Sequence, residues 1–201
     1  DFITTVTHEL RTPVTSIKAL SKIILDHAPE LEEKQRQEYL QILVDESNRI
    51  SRLINQVLDI EKIQSDTTPL KMEELNLAHL LQSATMGMKQ LFLERNVDVQ
   101  CSESLLKAIE NPEHAVVLQA DRDKLTQVVV NLLSNALKFC DSESGVIKLD
   151  LYLKGPVAVF SVEDNGPGIP ASMQHIIFEK FTQLHSSEHG KPKGTGLGLF
   201  I

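Results

Sequence analysis

His8 and Glu9 are adjacent on a segment whose apolar residues Val6, Leu10, Val14, Ile17 and Leu20 recur at three- and four-residue steps, the spacing of one buried helical stripe. His8 falls off that stripe. Thr12 lies one turn further along the same exposed face, and Glu9 can reach the imidazole from the side. An imidazole with one nitrogen held by a carboxylate has a more nucleophilic second nitrogen, so the pair suits accepting a group as well as moving a proton. Taken alone, the two residues read more simply as a solvated helix face. Pro13, inside the same helical pattern, removes a backbone hydrogen bond and predicts a bend just past the histidine.

Three further sets follow. Asn131, Asn135 and Lys138 project near one edge of a helical pattern that otherwise carries Val128, Leu132 and Leu133. Asparagine is a mediocre helix former; an amide oxygen can ligate a hard cation such as magnesium, and an ammonium can hold a phosphate as a point charge. A solvated polar edge is the plainer alternative. The second set is Glu163-Asp164-Asn165-Gly166-Pro167-Gly168-Ile169-Pro170, where a strand pattern ends. Its glycines leave room for a flat ligand, and Asp164 offers an anionic acceptor to an exocyclic amine such as that of adenine. An ordinary Asp/Gly/Pro turn is the alternative, but it leaves the third set unexplained. That set, Gly194-Thr195-Gly196-Leu197-Gly198, opens a helical pattern, and glycine-rich amides at a helix start form an anion site suited to nucleotide phosphates. It is neither a Walker loop nor a dinucleotide fingerprint. The preceding loop holds His185, His189, Lys191 and Lys193, a basic lid by one reading; as a metal site it has no companion ligands at suitable spacing.

The elements that must position these groups follow from periodicity and punctuation. The pattern predicts a helix over residues 2–26, a break at Ala28-Pro29, and a second helix over 33–64 with Leu40, Leu43, Ser47, Ile50, Ile54, Val57 and Leu58 near one face. The two make an antiparallel hairpin. Leu53, Ile60 and Ile63 widen the apolar face beyond what one partner helix covers, which favours dimerisation into a four-helix bundle over a monomer. Residues 66–70, within a polar, proline-containing stretch, read as a linker. Beyond them come a strand over 71–75, a helix capped by Asn76 and reaching residue 95, strands over 97–101 and 115–119, a helix over 122–139 capped by Asp121, and a hairpin of strands over 146–153 and 157–162 turning at Lys154-Gly155-Pro156. The fold class is therefore multidomain: a helical hairpin, residues 1–65, then an α+β or α/β layer, residues 71–201, with helices against one sheet.

Composition narrows the function classes. The 201 residues are 41% hydrophobic with a net charge of -8, without tryptophan and with 4% aromatics. That balance argues against nucleic acid and anionic membrane surfaces as partners. Cys101 and Cys140 have neither metal-ligand nor disulfide spacing and read as reduced, intracellular thiols. No stretch has the length and apolarity of a membrane span, so this portion is expected to be cytoplasmic, with any membrane contact made through segments not present. The chain begins inside one helical pattern and stops inside another, which marks it as an excerpt.

Together the motifs resemble the core of a sensor histidine kinase of a two-component system. Residues 2–13 resemble that family's phosphoacceptor box, 123–139 its asparagine box, 162–170 its first glycine box, Phe178-Glu179-Lys180-Phe181 its phenylalanine box, and 194–198 its second glycine box. The resemblance implies a homodimer through the hairpin, a Bergerat-type sandwich that binds ATP and Mg2+, and a response-regulator receiver domain as partner. It makes His8 the phosphoacceptor, Glu9 its base, and Thr12 the position that orients water for dephosphorylating the regulator. Asn135 would ligate magnesium, with Asn131 and Lys138 on the phosphates and Asp164 on the adenine amine. Gly166, Gly168 and Ile169 would shape the pocket floor, Phe181 would anchor one end of the lid with Phe178, and Gly194, Thr195, Gly196, Leu197 and Gly198 would form its phosphate-facing end. Family members carry further strands beyond residue 201, which makes the ATP domain incomplete at its C-terminus. The rivals are a gyrase- or chaperone-type ATPase, which uses a glutamate where Asn131 stands, and a non-catalytic nucleotide-binding scaffold or a regulator phosphatase using Thr12.

Overall fold

A computed structural model describes residues 2–27, 29–64, 69–179, 182 and 198–200, with residues 2, 5, 56 and 59–64 described by backbone alone. The chain divides into two compact units, residues 1–68 with 176–201, and residues 69–175. Among the described residues no helix is long and apolar enough to cross a membrane.

The first unit contains helices α1 (Phe2–His27) and α2 (Glu33–Gln64), which pack along each other. The His27 carbonyl accepts from the Glu30 and Leu31 N–H groups, and α2 starts as the Gln35 side chain accepts from the Glu32 N–H, half of a capping box. On α1 the inward side chains are Val6, Leu10, Pro13, Ile17, Leu20 and Ile24; on α2 they are Tyr39, Leu43, Ile50, Leu53 and Val57. Of the single α2 face read from sequence, Leu43, Ile50 and Val57 turn inward while Leu40, Ile54 and Leu58 remain exposed, as does Val14 on α1. Leu53, read as surplus to the seam, is instead fully buried in it, 1% exposed. At 3.6 residues per turn, Leu40, Val44, Ile54 and Leu58 lie within about 80° of one another and are centred roughly 100° from the seam. The expected widening of the apolar face is therefore present, but these residues carry it. Ala28, residues 65–68, and the side chains of Ile60 and Ile63 lie outside the described residues.

The second unit is an α/β layer. A three-stranded sheet runs in the order β2 (Asp98–Cys101), β4 (Val146–Lys154), β5 (Val157–Asp164), with β2 parallel and β5 antiparallel to β4. Ile147, Leu149 and Leu151 alternate inward along β4, each at most 2% exposed, against α3 (Leu77–Gly87), α5 (Glu103–Glu110) and α6 (Arg122–Phe139). Gly155, at φ +61, makes the tight turn from β4 to β5 that the dipeptide Gly155-Pro156 announces. Among the described residues β1 (Met72–Asn76) and β3 (Val117–Asp121) pair only with each other, a separate ribbon rather than members of one sheet. Each ribbon strand ends in a helix cap. The Asn76 side chain accepts from the Ala78 and His79 N–H groups, and that of Asp121 from the Lys124 N–H. Asp121 also accepts from the Lys71 N–H, tying both strands to the start of α6.

Several boundaries differ from the sequence reading: β1 and β2 start one residue later, and β5 runs on two residues to Asp164. The helix after Asn76 breaks at Gly87-Met88, and α4 (Lys89–Glu94) follows, because glycine weakens helix continuation. β3 begins two residues later than read. α5 and a short 3-10 turn, Pro112–His114, were not read at all, although Ser102 caps α5 by accepting from the Leu105 N–H.

Candidate functional site

The sequence places the candidate groups on two different units, and each is built locally. On α1, His8 is exposed, as is Thr12. The Thr12 hydroxyl donates to the His8 carbonyl at 3.4 Å, the back-bond open to a threonine inside a helix, which holds it one turn from the imidazole. Glu9 does not meet the imidazole. It points to the seam, where its Oε2 is 3.4 Å from Nη2 of Arg49 on α2. Arg49 also lies 3.8 Å from Glu46, whose Oε2 is occluded without a hydrogen bond. A carboxylate at the position after His8 is rotated about 100° around the helix, and here the nearest cation wins it. Pro13 lies within a helix that continues unbroken to His27, its ring buried in the seam.

α6 carries the second set. Val129, Leu133, Ala136 and Leu137 are the buried face, so of the apolar residues singled out on this helix Leu133 is core while Val128 is 42% exposed. The opposite face holds Asn131, Asn135 and Lys138, all partly buried. The Lys138 ammonium stands 4.3 Å from the centroid of the Phe139 ring, a cation–π contact. Burial pulls its pKa below the ordinary lysine value, because desolvation penalises the charged form.

The turn after β5 carries the third set. The Asp164 carboxylate is exposed at the strand end, with Oδ1 accepting from the Gly166 N–H at 2.9 Å. Gly166 is required by the protein itself. A Cβ there would lie 2.0 Å from the Phe139 carbonyl oxygen, so the turn is seated directly on the last residue of α6. Gly168 has φ +71, the left-handed region, and open space where a Cβ would point. Ile169 is 40% exposed beside it. The structure thus brings Asp164, Gly166 and the end of α6 bearing Asn135 and Lys138 together.

Residues 1–66 match the His Kinase A (phospho-acceptor) domain, and residues 120–201 match the histidine kinase-, DNA gyrase B- and HSP90-like ATPases. The chain belongs to the histidine kinase family. It is 34% identical over 202 residues to the circadian input-output histidine kinase CikA of Synechococcus elongatus, with all of this chain aligned to 26% of that protein. The chain therefore spans about a quarter of the length of that relative. Among solved structures, full-length ShkA in complex with AMPPNP is similar at TM-score 0.65 and 26% identity, covering 98% of this chain and 38% of that one. Histidine kinase ThkA in complex with the response regulator protein TrrA shares the fold at TM-score 0.67 and 24% identity, over 90% of this chain and 50% of that one.

As a member of that family, the chain carries donors that fit an ATPase domain of this kind. An exposed acceptor at the sheet end, an amide on α6 and a desolvated ammonium converge on one rim, and a phosphate beside the ammonium would offset its desolvation. No cluster of three or more His, Cys, Asp or Glu side chains among the described residues could hold a metal, so a cation here would draw on amide and phosphate oxygens. Gly198 is described and partly buried; Phe181, Gly194, Thr195, Gly196 and Leu197 lie outside the described residues, as do His185, His189, Lys191 and Lys193. Phe178 is 60% exposed. Two residues with evident work here were given no role from the sequence. Arg49 captures Glu9 from 40 positions away, and Asn165 joins the glycine turn to the loop after α6. Their partners are set by folding, so composition and spacing carry no trace of them.

Proposed function

We propose that this chain is the kinase core of a sensor protein: it phosphorylates His8 from magnesium-ATP and passes the phosphoryl group to an aspartate on a response-regulator receiver domain. The observation that supports this reading is the seating of Gly166 on the Phe139 carbonyl, which brings the turn bearing Asp164 up to the end of α6 bearing Asn135 and Lys138. ATP with magnesium supplies the phosphoryl group when bound. Asp164 accepts from the adenine amine through the oxygen that Gly166 leaves unused, Asn135 offers its amide oxygen to magnesium, and Asn131 and Lys138 hold the phosphates. Gly168 and Ile169 form the floor, with Phe181 and residues 194–198 closing over it. His8 accepts the phosphoryl group through a ring nitrogen, and Glu9 takes up the ring proton once it leaves Arg49. Residues 1–65 form the dimerisation and phosphotransfer domain, 66–70 the linker and 71–201 the ATP-binding domain, working in the cytoplasm. The exposed stripe of Leu40, Val44, Ile54 and Leu58 is the face that a second copy covers, completing a four-helix bundle.

The position of Thr12, on the face of His8 and bonded to its carbonyl, favours one additional activity: orienting water to dephosphorylate the regulator. Incubation with γ-labelled ATP and magnesium tests the main reading. The expected label is lost in acid, kept in alkali, and absent from His8→Gln while that variant still binds nucleotide. Acid-labile label retained on His8→Gln overturns the assignment.

A further inference from the structure

We propose that Asn165 is the positioning residue for Asp164, fixing where the adenine-binding carboxylate stands by lacing the turn after β5 to the loop that leaves α6. The proposal rests on the nucleotide reading above and adds a residue that the reading does not use. The β4–β5 ladder ends at the pair Ile147 and Asp164, so the acid occupies the last paired position of a strand, where fraying is easiest. Asn165 continues the ladder with its side chain. Its Oδ1 accepts from the Val146 N–H at 2.9 Å and the Asp141 N–H at 3.3 Å, its Nδ2 donates to the Ser144 carbonyl at 2.7 Å, and its own N–H donates to the Val146 carbonyl at 3.2 Å.

The loop that receives these bonds is itself braced. Asp141 Oδ1 accepts from the Glu143 and Ser144 N–H groups and from the Ser144 hydroxyl, which holds that carboxyl below its ordinary pKa. Gly145 is packed so closely that a Cβ would meet Val97 Cγ2 at 2.8 Å and Cys140 Sγ at 3.1 Å. A braced loop on one side and the Phe139 carbonyl under Gly166 on the other leave the intervening acid little freedom. Asn165 is exposed, so its side chain contributes through these bonds rather than by filling the core. Both amide atoms are engaged, which neither aspartate nor alanine reproduces.

A general structural role and a positioning role make different demands on ligand choice. If Asn165 aims Asp164 at the exocyclic amine, its removal weakens adenine nucleotides and spares nucleotides whose base lacks that amine. The experiment is calorimetric titration of the 201-residue chain with ADP and with IDP in the presence of magnesium, for the unaltered chain, Asn165→Ala and Asp141→Ala. The unaltered chain is expected to prefer ADP. Asn165→Ala is expected to bind ADP about tenfold more weakly with IDP changed less than about twofold, the difference being near the worth of one well-made hydrogen bond. Asp141→Ala leaves Asn165 in place and loosens its anchor, so it is expected to show the same selective loss at about threefold; it decides the question if Asn165→Ala loses its circular dichroism signal. Equal weakening of ADP and IDP, or no weakening of either, overturns the proposal alone. An unaltered chain that binds neither nucleotide, or both equally, overturns the reading of the adenine site and the proposal with it.

Discussion

The two units solve burial differently. Apart from Leu53 and Pro13, every fully buried apolar side chain among the described residues lies between Leu75 and Leu151, where helices from one side close over β4. The hairpin instead leaves Ile3, Val14, Leu25, Leu40, Val44, Ile54 and Leu58 at 46% to 80% exposure. One unit has a core of its own. The other carries its apolar residues on two faces and fills only the seam between its helices. The difference bears on the proposed division of labour: the unit carrying His8 leaves an apolar face for a second copy to cover, and the unit carrying Asp164 holds its shape by its own core.

The contrast breaks most sharply in the α/β core. Leu133→Ala removes a side chain with 0% exposure, and a cavity of that kind costs about 3 kcal/mol. Hydrogen exchange on β4 amides should report that loss, while the amides of α1 and α2 keep their protection. Equal loss in both units would mean that they unfold as one, and the comparison would have no energetic basis.

A smaller effect is expected on the hairpin's outer stripe. Ile54→Lys with Leu58→Lys leaves the seam intact and places two ammonium groups where the second copy would sit, each costing on the order of 2 kcal/mol if buried, enough to weaken association more than tenfold. Sedimentation should show the unaltered chain as a dimer and the double variant as a monomer. A monomeric unaltered chain would leave the stripe without its proposed partner.

The sequence made the long elements legible, and the reason is physical. α1, α2, α6 and the β4–β5 hairpin each repeat their apolar period several times, and Asp121 and Gly155-Pro156 punctuate them. α5 was invisible because two turns of helix give too few repeats to register, and Gly87 split what periodicity alone ran together. On the hairpin both apolar faces could be counted, yet which one the neighbouring helix covers depends on the crossing of α1 and α2, so Leu53 and Leu40 exchanged places. At the site, residue types were readable and orientations were not. Glu9 was singled out by its place beside His8, but its capture by Arg49 needs a contact 40 residues away, and the hold of Asn165 on a loop some 20 residues earlier is likewise set by folding.

The smallest expected effect concerns the start of α6 and sharpens the same comparison through acid. Hydrogen bonds from the Lys124 and Lys71 N–H groups hold the Asp121 carboxyl below its ordinary pKa, so the ionised group stabilises the fold above the unfolded value, near 4, and that stabilisation disappears as pH falls through the lower, folded value. Arg122 nearby is occupied by Glu73 at 2.6 Å and does not replace the bond. Asp121→Asn keeps an acceptor for the cap while removing the charge. At neutral pH it should lower the melting temperature of the α/β unit by no more than a few degrees. Toward pH 3 the gap to the unaltered chain should narrow, because protonation then gives both the same neutral cap. The measurement is a set of melting curves from pH 7 to pH 3, with hydrogen exchange assigning each transition to its unit. A gap that widens in acid, or one that appears in the hairpin transition, would mean that Asp121 supports something other than the first turn of the helix carrying Asn131, Asn135 and Lys138.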